Sequence, residues 1–115
     1  MGARTRVSRV IVLNRFRVDT SDVQTFLDQG RAAVAVLADR PGFVSADLGR
    51  NLDEPTLWTI TTRWQNVGSY RRALQGTESK MVVVPLLSLA IDEPTAYDDV
   101  ELVGTNQPRE TELAD

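Results

Sequence analysis

A chain of 115 residues holds one domain and one core, and leaves no room for a second lobe. Hydrophobic residues make up 42% and charged residues 25%, a globular balance that excludes a disordered or collagen-like chain. With no cysteine and no histidine, and a net charge of −3, there is no disulfide framework, no thiolate or imidazole chemistry and no His- or Cys-ligated metal.

Five arginines (Arg4, Arg6, Arg9, Arg15, Arg17) precede Asp19. The chain is acidic overall and lacks an aromatic–basic repeat, so solvated edge charges are expected here and no nucleic-acid partner. No apolar run approaches the roughly 20 residues that cross a bilayer. The start, Met1-Gly2-Ala3-Arg4-Thr5-Arg6, has no signal-peptide apolar region, so the expectation is a cytoplasmic protein with no membrane partner.

Arg9 to Val18 alternates and is rich in β-branched residues, predicting a first strand. Val10, Val12, Asn14, Phe16 and Val18 fall on one face; Ile11, Leu13, Arg15 and Arg17 fall on the other. Thr20-Ser21-Asp22 predicts a helix start with a hydroxyl N-cap. Val23, Phe26, Leu27, Gly30, Val34, Leu37 and Ala38 then recur as an amphipathic stripe, which Arg40-Pro41-Gly42 ends.

Phe43–Arg50 and Thr56–Trp64 predict a hairpin across the turn Asn51-Leu52-Asp53-Glu54-Pro55. Asn66 caps a second helix with Val67, Tyr70 and Leu74 on its inner side, and Gly76 stops it. A further helical piece from Thr77 meets Pro85, where a kink or restart is expected. The fourth strand is expected within Pro94–Val103. This reading gives a lead-in over 1–8, a domain over 9–103 and a polar tail over 104–115. Leu52-Asp53-Glu54-Pro55-Thr56 and Ile91-Asp92-Glu93-Pro94-Thr95 are near copies, read as shared turn chemistry.

The order is βαββαβ with extra helix before the last strand: an α+β, ferredoxin-like pattern with a four-stranded antiparallel sheet and helices on one face. The second sheet face carries Ile11, Leu13 and Leu57, so a homodimer with sheets face to face is expected.

Asn14 is the sharpest functional signal, a carboxamide in the middle of a Val and Phe face. Burying it without a partner costs about 1–3 kcal/mol, so either a neighbouring group or a ligand should bond it. Trp64 offers a flat face and one N–H, and Tyr70 a phenol; each also reads simply as core.

Leu13-Asn14-Arg15-Phe16, Arg40-Pro41-Gly42-Phe43, Leu52-Asp53-Glu54-Pro55 and Thr62-Arg63-Trp64 ahead of Tyr70 together resemble the antibiotic-biosynthesis monooxygenase family of dimeric α/β-barrel proteins, over about Val10 to Val103. The resemblance implies a dimeric α/β barrel. It also implies cofactor-free oxidation of a small aromatic or hydroquinone-type molecule by dioxygen, or a non-enzymatic module of the same fold that binds a small ligand. Asn14, Trp64 and Tyr70 are the catalytic candidates, around an apolar pocket of Val12, Phe16, Phe26, Ile60 and Met81, with no cofactor and no metal. Haem-degrading members supply a histidine from the helix after Gly76. Lys80-Met81-Val82-Val83 stands there in this chain, which argues against haem degradation.

Overall fold

In a computed structural model of the chain, residues 8–100 are described. The polar tail over 104–115, most of the lead-in and the 101–103 end of the expected last strand lie outside them. Alternation carries the sheet. In β1 (Val10–Arg17) the even positions are buried and the odd ones are partly open, and β3 (Leu57–Trp64) repeats that rhythm. Together with β2 (Phe43–Arg50) and β4 (Ala96–Asp98) they form one antiparallel sheet in the order β2-β3-β1-β4. This is the ferredoxin-like α+β topology expected from the element order.

Helix α1 (Val23–Ala38) lies on the sheet through Phe26, Gly30, Ala33 and Leu37. Its stripe differs slightly from the expected one, because Ala33 is buried and Ala38 is exposed. The cap differs too. Asp19, not a hydroxyl residue, accepts from the Ser21 N–H at 3.2 Å and the Ser21 hydroxyl at 2.6 Å, closing a 3₁₀ turn at Thr20–Asp22 before α1 begins. A carboxylate outcompetes a hydroxyl at this end because it suits the positive helix terminus. Those hydrogen bonds, the hydroxyl's first, hold the Asp19 carboxyl below its ordinary range.

Pro41-Gly42 turns the chain with Gly42 at φ +89°, and a bulge between Phe43 and Ser45 shifts the β2 register. Asn66 caps α2 (Val67–Ala73) as expected, its side-chain oxygen accepting from the Ser69 N–H at 2.8 Å. Ser69 and Ala73 are the buried positions of α2, whereas Val67 is 43% exposed. The piece before Pro85 is a π-helical stretch, Ser79–Val83, which restarts as α3 (Val84–Leu87) with the proline in its first turn. Proline is accommodated there because first-turn N–H groups lack intrahelical partners.

The core holds two aromatic groups at opposite ends of the sheet. Phe26 sits between Phe16 and Trp58, with ring centres 5.1 and 5.6 Å away. Trp64 sits between Phe43 and Tyr70 at 5.4 and 5.9 Å. Asn14, paired across from Ile60, lies between these groups on the inner face. The outer sheet face carries Ile11, Leu13 and Leu57, all partly shielded, and Tyr97, which is exposed. Among the described residues no helix is long and apolar enough to cross a membrane.

Candidate functional site

Strand β4 covers the edge of β1 only over Val10–Val12. Past that point the segment leading into β4 runs beside β1. The Ile91 N–H donates to the Arg15 carbonyl at 2.8 Å, and the Leu13 N–H donates to the Thr95 carbonyl at 2.7 Å. Between those two contacts the chain arches away from Asn14. The arch and the end of α3 enclose a depression of about 300 Å³ lined by Asn14, Leu87, Ser88, Ala90, Ile91, Asp92, Glu93 and Thr95.

Asn14 is 8% exposed. Its backbone carbonyl accepts from the Thr59 hydroxyl at 3.0 Å, while its carboxamide makes no hydrogen bond with a described residue. A nearly buried amide facing an opening keeps both its donor and its acceptor capacity for whatever enters.

Trp64 is entirely enclosed, and its indole N–H donates to the Thr62 hydroxyl at 2.8 Å. Its exposed edge is therefore nil in this conformation, and its contact with the rest of the site runs through the Tyr70 ring. Burial raises the Tyr70 phenol above its ordinary pKa, opposed by the nearby Thr95 side chain and then by Arg71. A phenol is protonated at neutral pH in any case, and burial widens that margin. Thr95 joins the two candidates, since it lies beside the Tyr70 hydroxyl and lines the Asn14 depression.

The pocket residues expected from the sequence do not surround one hollow. Val12 and Ile60 flank Asn14 in the buried sheet face. Phe16 and Phe26 line a separate depression of about 250 Å³ with Val18, Leu86 and Leu89. Met81 is 72% exposed and lines a third groove with Gln29, Ala32, Val82, Pro85, Leu86 and Leu89. Leu86, 4% exposed, lines both of these depressions and is not part of the Asn14 lining. The rim at Asn14 is consequently polar, with Ser88, Asp92, Glu93 and Thr95 in place of an all-apolar wall. Among the described residues no group of histidine, cysteine, aspartate or glutamate could hold a metal ion.

Sequence reasoning passed over Glu93, although its signal was present in the repeated turn. The glutamates of the two near-identical turns take the two arginines of the outer β1 face. Arg17 meets Glu54 at 2.9 Å, and Arg15 meets Glu93 through two parallel bonds of 2.7 Å. The Arg15 bonds hold the Glu93 carboxyl below its ordinary range and raise the Arg15 guanidinium.

Residues 9–83 match the family model for antibiotic biosynthesis monooxygenases. Among solved structures, a conserved protein from Methanosarcina mazei Go1 superposes with a TM-score of 0.66 at 21% identity, covering 80% of this chain and 93% of its own. SnoaB, a cofactor-independent oxygenase from Streptomyces nogalater, gives a TM-score of 0.61 at 22% identity, with 79% and 92% covered. A conserved protein of unknown function from Bacteroides thetaiotaomicron VPI-5482 gives 0.65 at 17%, with 81% and 100% covered. At these identities the likeness is one of fold. No curated protein matches the sequence significantly.

Proposed function

The chain belongs to the antibiotic biosynthesis monooxygenase family, and from that premise we propose that it oxidises a small aromatic or hydroquinone-type compound with dioxygen, without a cofactor, at Asn14. The observation that carries this reading is the unpartnered Asn14 carboxamide, 92% buried by its 8% exposure, at the floor of an opening. The cofactor-independent oxygenase SnoaB among the structural neighbours supports it.

The chemistry asks little of the protein. An electron-rich substrate such as an anthrone ionises, passes electrons to dioxygen, and exchanges a methylene for a carbonyl with release of water, so that R₂CH₂ + O₂ gives R₂CO + H₂O. What the protein adds is stabilisation of the oxyanion that develops on the substrate. The Asn14 NH₂ group donates to that oxygen. Tyr70, a phenol that is protonated at neutral pH and lies beside Thr95, is proposed to donate a second hydrogen bond from the Thr95 side. Trp64 serves as the post behind Tyr70, with Val12 and Ile60 flanking Asn14 in the buried sheet face.

Oxygen uptake with a panel of anthrones and hydroquinones tests the reading. Removing one preorganised donor to an oxyanion costs about 10²–10³ in rate, so Asn14→Ala is expected to lose about two orders of magnitude with the best substrate. Equal rates in both proteins would remove Asn14 from the reaction. A second reading, a module that binds such a compound without turning it over, draws support from the Trp64 N–H, which is engaged by Thr62 and so withheld from a ligand. Thermal stabilisation by a panel member with no oxygen uptake would favour it.

The working unit is proposed to be a homodimer closed over the outer sheet face. Ile11, Leu13 and Leu57 lie there with Tyr97, which is 51% exposed, and an apolar sheet face of this kind is ordinarily covered. In sedimentation velocity the parent protein should run as a dimer and Leu13→Arg as a folded monomer. A monomeric parent would refute the assembly.

A further inference from the structure

The edge of β1 beside Asn14 is left open by a mismatch in chain length. From Leu13 to Arg15 the strand advances two residues, about 7 Å. The chain bonded to those same two residues runs from Ile91 to Thr95, four residues that reach about 13 Å when extended. The surplus bows outward as Asp92-Glu93-Pro94, and this bow is the rim of the Asn14 depression. A free bow of this length would be loose, since loops hold few contacts of their own. This one is pinned at its apex. Glu93 accepts two bonds of 2.7 Å from the Arg15 Nε and Nη2 atoms, a fork geometry that fixes orientation as well as distance.

Arg15 is the residue next to Asn14, and its side chain leaves the opposite face of the same strand. The pin therefore reaches around the strand edge. One residue of β1 lies under the opening, and its neighbour holds the opening's frame. We propose that the Ile91–Thr95 arch is the doorway to Asn14 and that the Arg15–Glu93 pair is its latch, a positioning pair that sets how fast a ligand enters and leaves. This rests on the reading that Asn14 faces the ligand. The Arg17–Glu54 pair, the counterpart on the same outer face, is the internal comparison, because it lies at the β2–β3 turn and frames no opening onto Asn14.

Two measurements on the full chain test it. Amide hydrogen exchange at Ile91 and Leu13 is read first, in Arg15→Ala, in Glu93→Gln and in the exchanged pair Arg15→Glu with Glu93→Arg. Unlatching is expected to speed exchange at both amides about tenfold and to leave the β3 amides unchanged, with the exchanged pair near the parent. Exchange within twofold of the parent in both single variants would overturn the latch, and this needs no ligand. The second is stopped-flow binding of anthrone under nitrogen. Unlatched variants should show association and dissociation rates both raised about fivefold or more with little change in Kd, whereas Glu54→Gln should match the parent. Exchange that responds while both anthrone rates stay fixed would overturn the doorway. Asn14→Ala separates the two levels, for it should weaken anthrone binding without altering exchange at Ile91 or Leu13. Unweakened binding in that variant would strike the Asn14 reading and leave the latch to the exchange result.

Discussion

Trp64→Ala is expected to be severely destabilising, by about 3–5 kcal/mol in urea unfolding, the range for removing a large aromatic from a core. The indole has no exposed surface, so the whole ring volume becomes a void. The neighbours that would have to collapse into it are held by other elements, Phe43 at the start of β2 and Tyr70 on α2. The Thr62 hydroxyl, 3% exposed with its residue, also loses the donor it accepts from. Against a total stability of about 5–15 kcal/mol for a domain, this leaves a marginal protein. Trp64→Phe separates the contributions: it keeps the ring contacts, loses the N–H, and should cost about 1–2 kcal/mol. A loss below 1 kcal/mol for the alanine variant would mean that the ring is not the post described above.

Gly42→Ala is the second large effect. Gly42 adopts φ +89°, where an L side chain costs about 1–2 kcal/mol. An added Cβ would also overlap the Ser69 side chain. Ser69 cannot simply withdraw. It is 6% exposed, and its N–H is held by the Asn66 cap at 2.8 Å. Relief would require α2 to move off the Pro41-Gly42 turn, whose carbonyl at Gly42 also receives the Gln65 N–H at 2.8 Å. The combined cost should be on the order of 2–4 kcal/mol. The cycle with Ser69→Gly divides it, because that change clears the overlap and leaves the backbone conformation unfavourable. About half of the loss should return in the double variant. A fully additive pair would show that the overlap contributes nothing.

The sheet and its inner face were legible because alternation is a local property: Val10, Val12, Asn14, Phe16 and Val18 are buried one after another. The Asn66 cap and the break around Pro85 were legible for the same reason, each residing in one or two residues. What lay beyond the sequence depended on contacts between distant segments. The helix cap moved to Asp19 through a competition among adjacent polar residues that spacing does not decide. Trp64 reads as a ligand-facing ring until Thr62, two residues earlier on the same face, is seen to take its N–H. The apolar residues expected around Asn14 are divided among separate depressions, two of them sharing Leu86, which no periodicity in a stretch interrupted by a π-helical segment could reveal. The repeated Asp-Glu-Pro turns were visible as a repeat, yet their pairing with alternate arginines of β1 appears only when the chain is folded.

The side-chain NH₂ resonances of Asn14, followed by ¹⁵N–¹H NMR during a titration with anthrone under nitrogen, test the central claim at the atom concerned. An amide that forms its first side-chain hydrogen bonds on binding should shift with the ligand, together with Thr95 and Tyr70 and ahead of Asn51 and Asn66. If the anthrone binds while the Asn14 pair stays in place, the carboxamide is a feature of the fold and the family's chemistry, where this chain performs it, occurs elsewhere.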